Sequence, residues 1–304
     1  TNALRTILVF GIPVATVYVT WFSYMSQNDL WSLFATRWHM TVTMIFGSFI
    51  AGASSEGGGA IAYPVMTLGF RIPPDVARNF GLAIQSIGMT AASLWIISRR
   101  IKVEWSYLLL AGGSGMVGVV VSSYLIAPYV VPAYAKMMFV SFWLSFGIAL
   151  FSINHLRKRD TTDKLRLVSI SQYAELLMIG FFGGVLSGVF GNGTDIATFA
   201  YVPLRYGLSE KIATPTSVII MASNAVVGAG LHQFVIQDMQ QQAIDFWLVC
   251  IPVVLIGAPL GAFVISRIDR LAIAFLLYSI ILAQFVAAVM IVKPDGQLSL
   301  VFDC

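Results

Sequence analysis

Residues 42–70 read VTMIFGSFIAGASSEGGGAIAYPVMTLGF, a long apolar stretch cut in its middle by Ser55-Glu56-Gly57-Gly58-Gly59. A second stretch, residues 174–206, reads AELLMIGFFGGVLSGVFGNGTDIATFAYVPLRY and is cut in the same way by Gly191-Asn192-Gly193-Thr194-Asp195. The two align at an offset of 136 residues, which lays Gly47, Gly52 and Gly57 on Gly183, Gly188 and Gly193, and Phe46, Leu68, Ala77 and Ile84 on Phe182, Leu204, Ala213 and Ile220. The shared glycine spacing, more than these few identities in so apolar a chain, marks an internal repeat.

Composition says what the breaks interrupt. The 304 residues are 58% hydrophobic and 11% charged, against roughly 25% charged in a soluble domain. Apolar runs at 7–24, 80–98, 107–126, 133–153, 216–234, 246–265 and 271–292 reach the roughly 20 residues that cross a hydrocarbon layer about 30 Å thick. Continuous runs of this length read as helices, not as the alternating strands of a membrane barrel. The first run is too long for a signal-peptide core and lacks a small-residue cleavage site, so it is expected to stay as a first helix. Cys250 in an apolar run and Cys304 at the last position read as a packed and a tail residue, not as a disulfide framework. The net charge of +4 collects at helix ends, the pattern of topology determinants, and implies no nucleic-acid partner.

The arms that follow the breaks, 60–70 and 196–206, are eleven residues long; at 1.5 Å per residue they span roughly 16 Å, half the bilayer. Each broken stretch therefore either turns back or crosses as one broken helix. If both turn back and the amino terminus is cytoplasmic, that side collects Arg5, Arg99, Arg100, Lys102, Arg157, Lys158, Arg159, Lys164, Arg166, Arg205, Lys211, Arg267 and Arg270, which is 13 of 18 basic residues, with Arg37, Arg71, Arg78, Lys136 and Lys293 outside. Single crossings split the same residues 8 against 10. The positive-inside rule favours the returning hairpin.

The expected fold is an all-α polytopic membrane protein with two inverted repeats, each a re-entrant broken helical hairpin followed by three transmembrane helices, plus one extra N-terminal helix. Its parts are the extra helix at 1–36, repeat one at 37–153, a basic cytoplasmic linker at 154–169, repeat two at 170–293 and a tail at 294–304. Inversion brings the two breaks together near the midplane.

A helix restarted inside a membrane presents free N–H groups and the positive end of its dipole, which together suit an anion. Gly57, Gly58, Gly59, Gly191 and Gly193 let a ligand approach the backbone, and Ser54, Ser55, Asn192 and Thr194 add hydrogen-bonding side chains. Gln85 and Ser86, then Ser223 and Asn224 at nearly matching positions, lie deep in apolar helices and must find partners in each other or in a solute. Arg78 and Thr214 at the entrances of those helices are weaker candidates, because an interfacial arginine commonly snorkels to headgroups. Glu56 and Asp195 are ionisable groups at the breaks. Glu56 is the candidate for proton or cation coupling; Asp195 divides between coupling and an N-cap of the following arm.

Two patterns point away from chemistry. Ser114 and Gly118 match Gly257 and Gly261 at an offset of 143, a small-xxx-small spacing that reads as close helix contact. Gly113-Ser114-Gly115 could present a serine nucleophile, but His39, His155 and His232 all fall near helix ends, so no enzyme is implied. No metal or cofactor is implied either.

At Gly57-Gly58-Gly59-Ala60-Ile61-Ala62-Tyr63-Pro64 with the Ala77 region, and at Gly188-Val189-Phe190-Gly191-Asn192-Gly193 with Pro203 and Ala213, the chain resembles the sulfite exporter TauE/SafE family of membrane permeases. The resemblance covers roughly residues 41–292 and leaves 7–24 as an addition. In the second copy Thr194-Asp195 replaces a glycine pair, and Pro203 is shifted by three residues relative to Pro64. The resemblance implies transport of sulfite or a small organosulfonate across a bacterial cytoplasmic membrane, with proton coupling and a homodimer carried as expectations. The residues by themselves leave a carrier and an anion channel, with the breaks as its filter, both open.

Overall fold

The computed structural model describes residues 2–53, 59–152, 162–265 and 270–291, and among these every regular element is a helix. Asn2–Thr6 (α1) passes through a widened turn at Ile7–Gly11 into Ile12–Gln27 (α2). Leu33–Ala53 (α3) and Gly59–Pro64 (α4), the latter prolonged by Val65–Gly69, lie on either side of residues 54–58, which fall outside the described residues. Pro74–Ser98 (α5) follows, then Trp105–Tyr107 (α6), which runs on through Leu108–Gly112 into Gly113–Leu125 (α7), and Pro132–Phe151 (α8). The second half holds Ile170–Phe190 (α9), Thr194–Tyr206 (α10), Glu210–Gly230 (α11) extended by Leu231–Val235, Gln241–Ile265 (α12) and Arg270–Ile291 (α13). Six helices among the described residues are long and apolar enough to cross a membrane.

Local chemistry sets the boundaries. Proline opens α5 and α8, where its missing N–H would have had no helical partner. Ser169 and Gln172 close a capping box at the start of α9.

The long arms are longer than the apolar pattern suggests. α3 and α9 have 21 residues each, roughly 31 Å, so only the returning arms are short. The apolar pattern of α3 starts near Val42 because Arg37 and His39 interrupt it. Both are accommodated: Arg37 pairs with Asp245 of α12 at 3.4 Å, and the His39 ring packs 4.7 Å from Phe70.

Both broken stretches turn back. Glu175, near the start of α9, accepts hydrogen bonds from the Tyr201 and Tyr206 hydroxyls at the far end of α10, at 3.0 and 2.7 Å. His39 near the start of α3 and Phe70 just beyond the end of the first returning arm meet in the same manner.

Helix contact is made through small residues, as it must be where lipid tails are as apolar as the side chains. α3 lies along α12, with Gly257 against Ser48 and Gly261 against the backbone of Phe49 and Ala53. α9 lies along α7, with Gly180 against Ala111 and Ser114, Gly184 against Gly115, and Gly118 against Phe181. The two small-xxx-small pairs thus do the same work in the two halves. Bulky apolar residues such as Phe46, Leu109, Phe182 and Phe234 face outward, which suits a hydrocarbon solvent. Gly184→Ala should lower stability by about 1–3 kcal/mol, because its Cβ would stand 2.0 Å from the Gly115 carbonyl oxygen. Gly113→Ala should be neutral, since a Cβ there meets nothing within 4 Å. Thermal unfolding in detergent separates the two, and equal midpoints would contradict the close contact.

Candidate functional site

The second break is built by Ser187 and Gly191. α9 ends on Gly191, whose φ of +81° is the left-handed conformation that costs a side chain free energy and costs glycine none. Its N–H donates to the Ser187 carbonyl at 2.7 Å. The Ser187 hydroxyl oxygen accepts the Thr194 backbone N–H at 2.9 Å and also lies 2.9 Å from the Thr194 hydroxyl. One serine thus caps α10 across the hairpin, and Thr194 is fully buried. The residue preceding α10 is Gly193, so Asp195 is second in the helix instead of holding the N-cap position; its side chain lies outside the described residues. Ser187 was not legible as a cap, because a serine ahead of an unwound segment looks like any helix serine bonded to its own backbone.

Gln85 on α5 reaches this break directly. Its Nε2 donates to the Gly191 carbonyl at 2.8 Å and to the Gly81 carbonyl at 3.0 Å, while its buried Oε1 accepts no hydrogen bond. The same side chain lines a small cavity with Ser48 and Ala51 of α3, just ahead of the first break, and the Ser48 hydroxyl there is also without a partner. The aromatic rings make a second link: Tyr63 of α4 packs 4.5 Å from Phe139 and 6.2 Å from Phe190, the residue before Gly191. Both hairpins therefore come together around Gln85 and Tyr63. Ser54, Ser55, Glu56, Gly57 and Gly58 lie outside the described residues, and Gly59 is the first residue of α4.

Asn224 on α11 supplies the other buried amide. It is 2% exposed, and neither Nδ2 nor Oδ1 has a hydrogen-bond partner. A Cβ built on Gly115 would meet its Nδ2 at 2.6 Å and the Thr194 methyl at 2.8 Å, so the amide sits where α7 passes the start of α10. Asn192 is buried in the same break. The neighbouring hydroxyls are turned away: Ser86 donates to the Ala83 carbonyl and Ser223 to the Ile220 carbonyl, both at 2.8 Å within their own helices.

Arg78 is held elsewhere. Its backbone packs on Gly191, but its guanidinium, 7% exposed, donates to Asp238 at 3.2 Å and to the Asn79 side chain at 3.0 Å. Asp238 also meets Nδ1 of the fully buried His232 at 2.6 Å. Asn79 and Gln240 extend the network to Asp75. A buried cation needs such partners; Asn79 stands beside it on α5, and Asp238 comes from the turn between α11 and α12. Sequence reasoning missed Asp238, Gln240 and Ser187. Asp238 and Gln240 stand in a polar stretch between two apolar runs, which reads as an ordinary loop. Thr214, the other entrance candidate, lies within α11 and accepts the Ser217 hydroxyl at its carbonyl. Cys250 is fully buried in α12. Among the described residues no cluster of His, Cys, Asp or Glu could hold a metal ion.

Six membrane-length helices, two returning hairpins and a set of buried amides at the breaks define a polytopic membrane transporter. The chain belongs to the sulfite exporter TauE/SafE family, which it matches over residues 5–288; the match takes in the first helix, which the glycine motifs leave outside. It is similar to a probable membrane transporter protein of Methanocaldococcus jannaschii, 24% identical over 71% of this chain and 80% of that one. It is also similar to a probable membrane transporter protein of Bacillus subtilis, 26% identical over 76% of this chain and 89% of that one. No solved structure matches the chain. The family is one of transporters, not enzymes.

Proposed function

We propose that this transporter is a secondary carrier of a small anion, sulfite or a small organosulfonate, held between the two glycine-rich breaks and moved across the cytoplasmic membrane. The observation that carries the reading is Asn224: a fully desolvated amide with four unused hydrogen-bonding positions is costly unless a solute completes it. Gln85 Oε1 and the Ser48 hydroxyl, unpartnered on the other side, are further polar atoms of the same kind. The family's description names sulfite. The reciprocal packing of α3 on α12 and of α9 on α7 supports the reading of the halves as inverted repeats that rock about this centre. Ser54, Ser55, Gly57, Gly58 and Gly59 would complete the anion's surroundings from the first hairpin.

Asn224→Leu tests this with opposite signs. Replacing an unsatisfied buried amide by an apolar side chain of the same shape is neutral or stabilising, so the thermal midpoint should hold or rise. Binding of sulfite and of two-carbon sulfonates to the detergent-purified protein should weaken at least about tenfold, the value of one charge-assisted hydrogen bond. Unchanged binding would remove the proposed site, and ohmic, non-saturating currents in liposomes would replace the carrier with a channel.

Glu56 is the proposed coupling group, as the ionisable side chain of the first break. With Glu56→Gln, transport in proteoliposomes should lose its response to an imposed pH gradient. A wild-type response would exclude it.

A further inference from the structure

Away from the breaks, a cavity of about 630 Å³ opens at the end of the bundle where α5 passes into α6, between α1, the connector 99–104, the chain leading into α9 and the start of α11. We infer that it binds the phosphate of an anionic phospholipid.

Charge is the first argument. Arg5, Arg100, Lys102 and Lys164 line the cavity against Glu104 and Asp163, an excess of two positive charges. The acids are already engaged. Glu104 accepts the backbone N–H groups of Ser106 and Leu165 at 3.3 and 3.2 Å, and Asp163 pairs with Lys102 at 3.5 Å. Among the described residues Arg5 donates to the neutral Ile97 carbonyl, at 3.0 Å. Arg100 and Lys164 make no ion pair among the described residues. A phosphate oxygen suits such a set of donors, guanidinium above all.

The other wall decides the kind of phosphate. It is apolar, with Ile96 and Ile101 among its residues, and a free phosphate would leave it wetted. Beside it α1 and the turn after it expose Leu4 and Leu8, while Trp105 and Leu109, 59% and 66% exposed, stand on the α6 side. A tryptophan at such a place marks the headgroup level. A lipid fills both halves, its phosphate among the cations and its chains along the outward leucines, as basic clusters beside membrane spans bind anionic lipids elsewhere. The site touches none of the residues at the breaks, so it stands or falls apart from the proposed carrier.

The test is thermal unfolding of the full-length, delipidated protein in neutral detergent with phosphatidylglycerol, phosphatidylcholine or inorganic phosphate added. Phosphatidylglycerol should raise the midpoint saturably and phosphatidylcholine should not. Arg100→Gln with Lys164→Gln should raise the half-saturating lipid concentration about thirtyfold, as loss of two near-surface cations gives. Both side chains are exposed and outside helices, and if the double variant unfolds, Lys164→Gln alone should give about fivefold. If inorganic phosphate alone reproduces the shift and the variant abolishes it, the anion site stands and its occupant is soluble. Equal shifts from both lipids, or an unchanged response in the variants, would overturn the site.

Discussion

Gly191→Ala should destabilise the protein by about 3 kcal/mol and reduce transport to less than a tenth, because two costs fall on one position. An L-residue in the left-handed region costs roughly 1–2 kcal/mol, and Gly191 has φ +81°. Its Cβ would also stand 2.6 Å from the Arg78 carbonyl oxygen and 3.1 Å from the Arg78 Cα. Backbone cannot rotate aside as a side chain can, so the start of α5 must move off the break. That movement breaks the hydrogen bond from Gln85 to the Gly191 carbonyl, the contact by which α5 senses the second hairpin. Unfolding midpoints at one scan rate and uptake into proteoliposomes check the two parts separately. A stable variant with wild-type transport would mean that the close approach is not maintained in the working protein.

The second large effect is expected at Asp238. Removing one partner of a buried ion pair costs about 3–5 kcal/mol, mostly because the other charge is left without compensation. The two partners are unequal here: the Arg78 side chain is 7% exposed and Asp238 is 39% exposed. Asp238→Ala therefore strands a buried guanidinium, whereas Arg78→Met leaves a carboxylate that water can reach. The aspartate variant should be destabilised by about 3 kcal/mol and the arginine variant by less. Combining the two should recover more than half of the loss, since no buried charge remains. Additive losses in the double variant would show that the pair is not coupled.

The membrane class, the helical fold and the place of the second break were legible from composition, run length and glycine spacing. These are properties of a chain in hydrocarbon: a backbone that cannot reach water must be helical, and a short polar interruption must be where a helix stops. The returning path of the hairpins was also legible, because only that path gathers most of the basic residues on one side of the membrane. The full length of α3 was not. Arg37 and His39 look like a boundary until Asp245 and Phe70 are seen beside them.

Within the site the division follows range. Gln85 and Asn224 could be named because a polar residue deep in an apolar run is conspicuous wherever it lies, and Thr194 because it stands in the polar segment of the second break. Which of the polar groups are already satisfied could not. Ser86 and Ser223 bond their own helices, Thr194 is clipped by Ser187, and Arg78 is taken by Asp238, 160 residues away in sequence. A hydrogen bond needs its partner within about 3 Å, and only the fold brings these groups that close. The sequence by itself determined a helical, multi-pass membrane transporter with two returning hairpins. Only the tertiary structure decided that Asn224 and Gln85 keep polar atoms unused there, because saturation of a buried group depends on every neighbour that packing supplies.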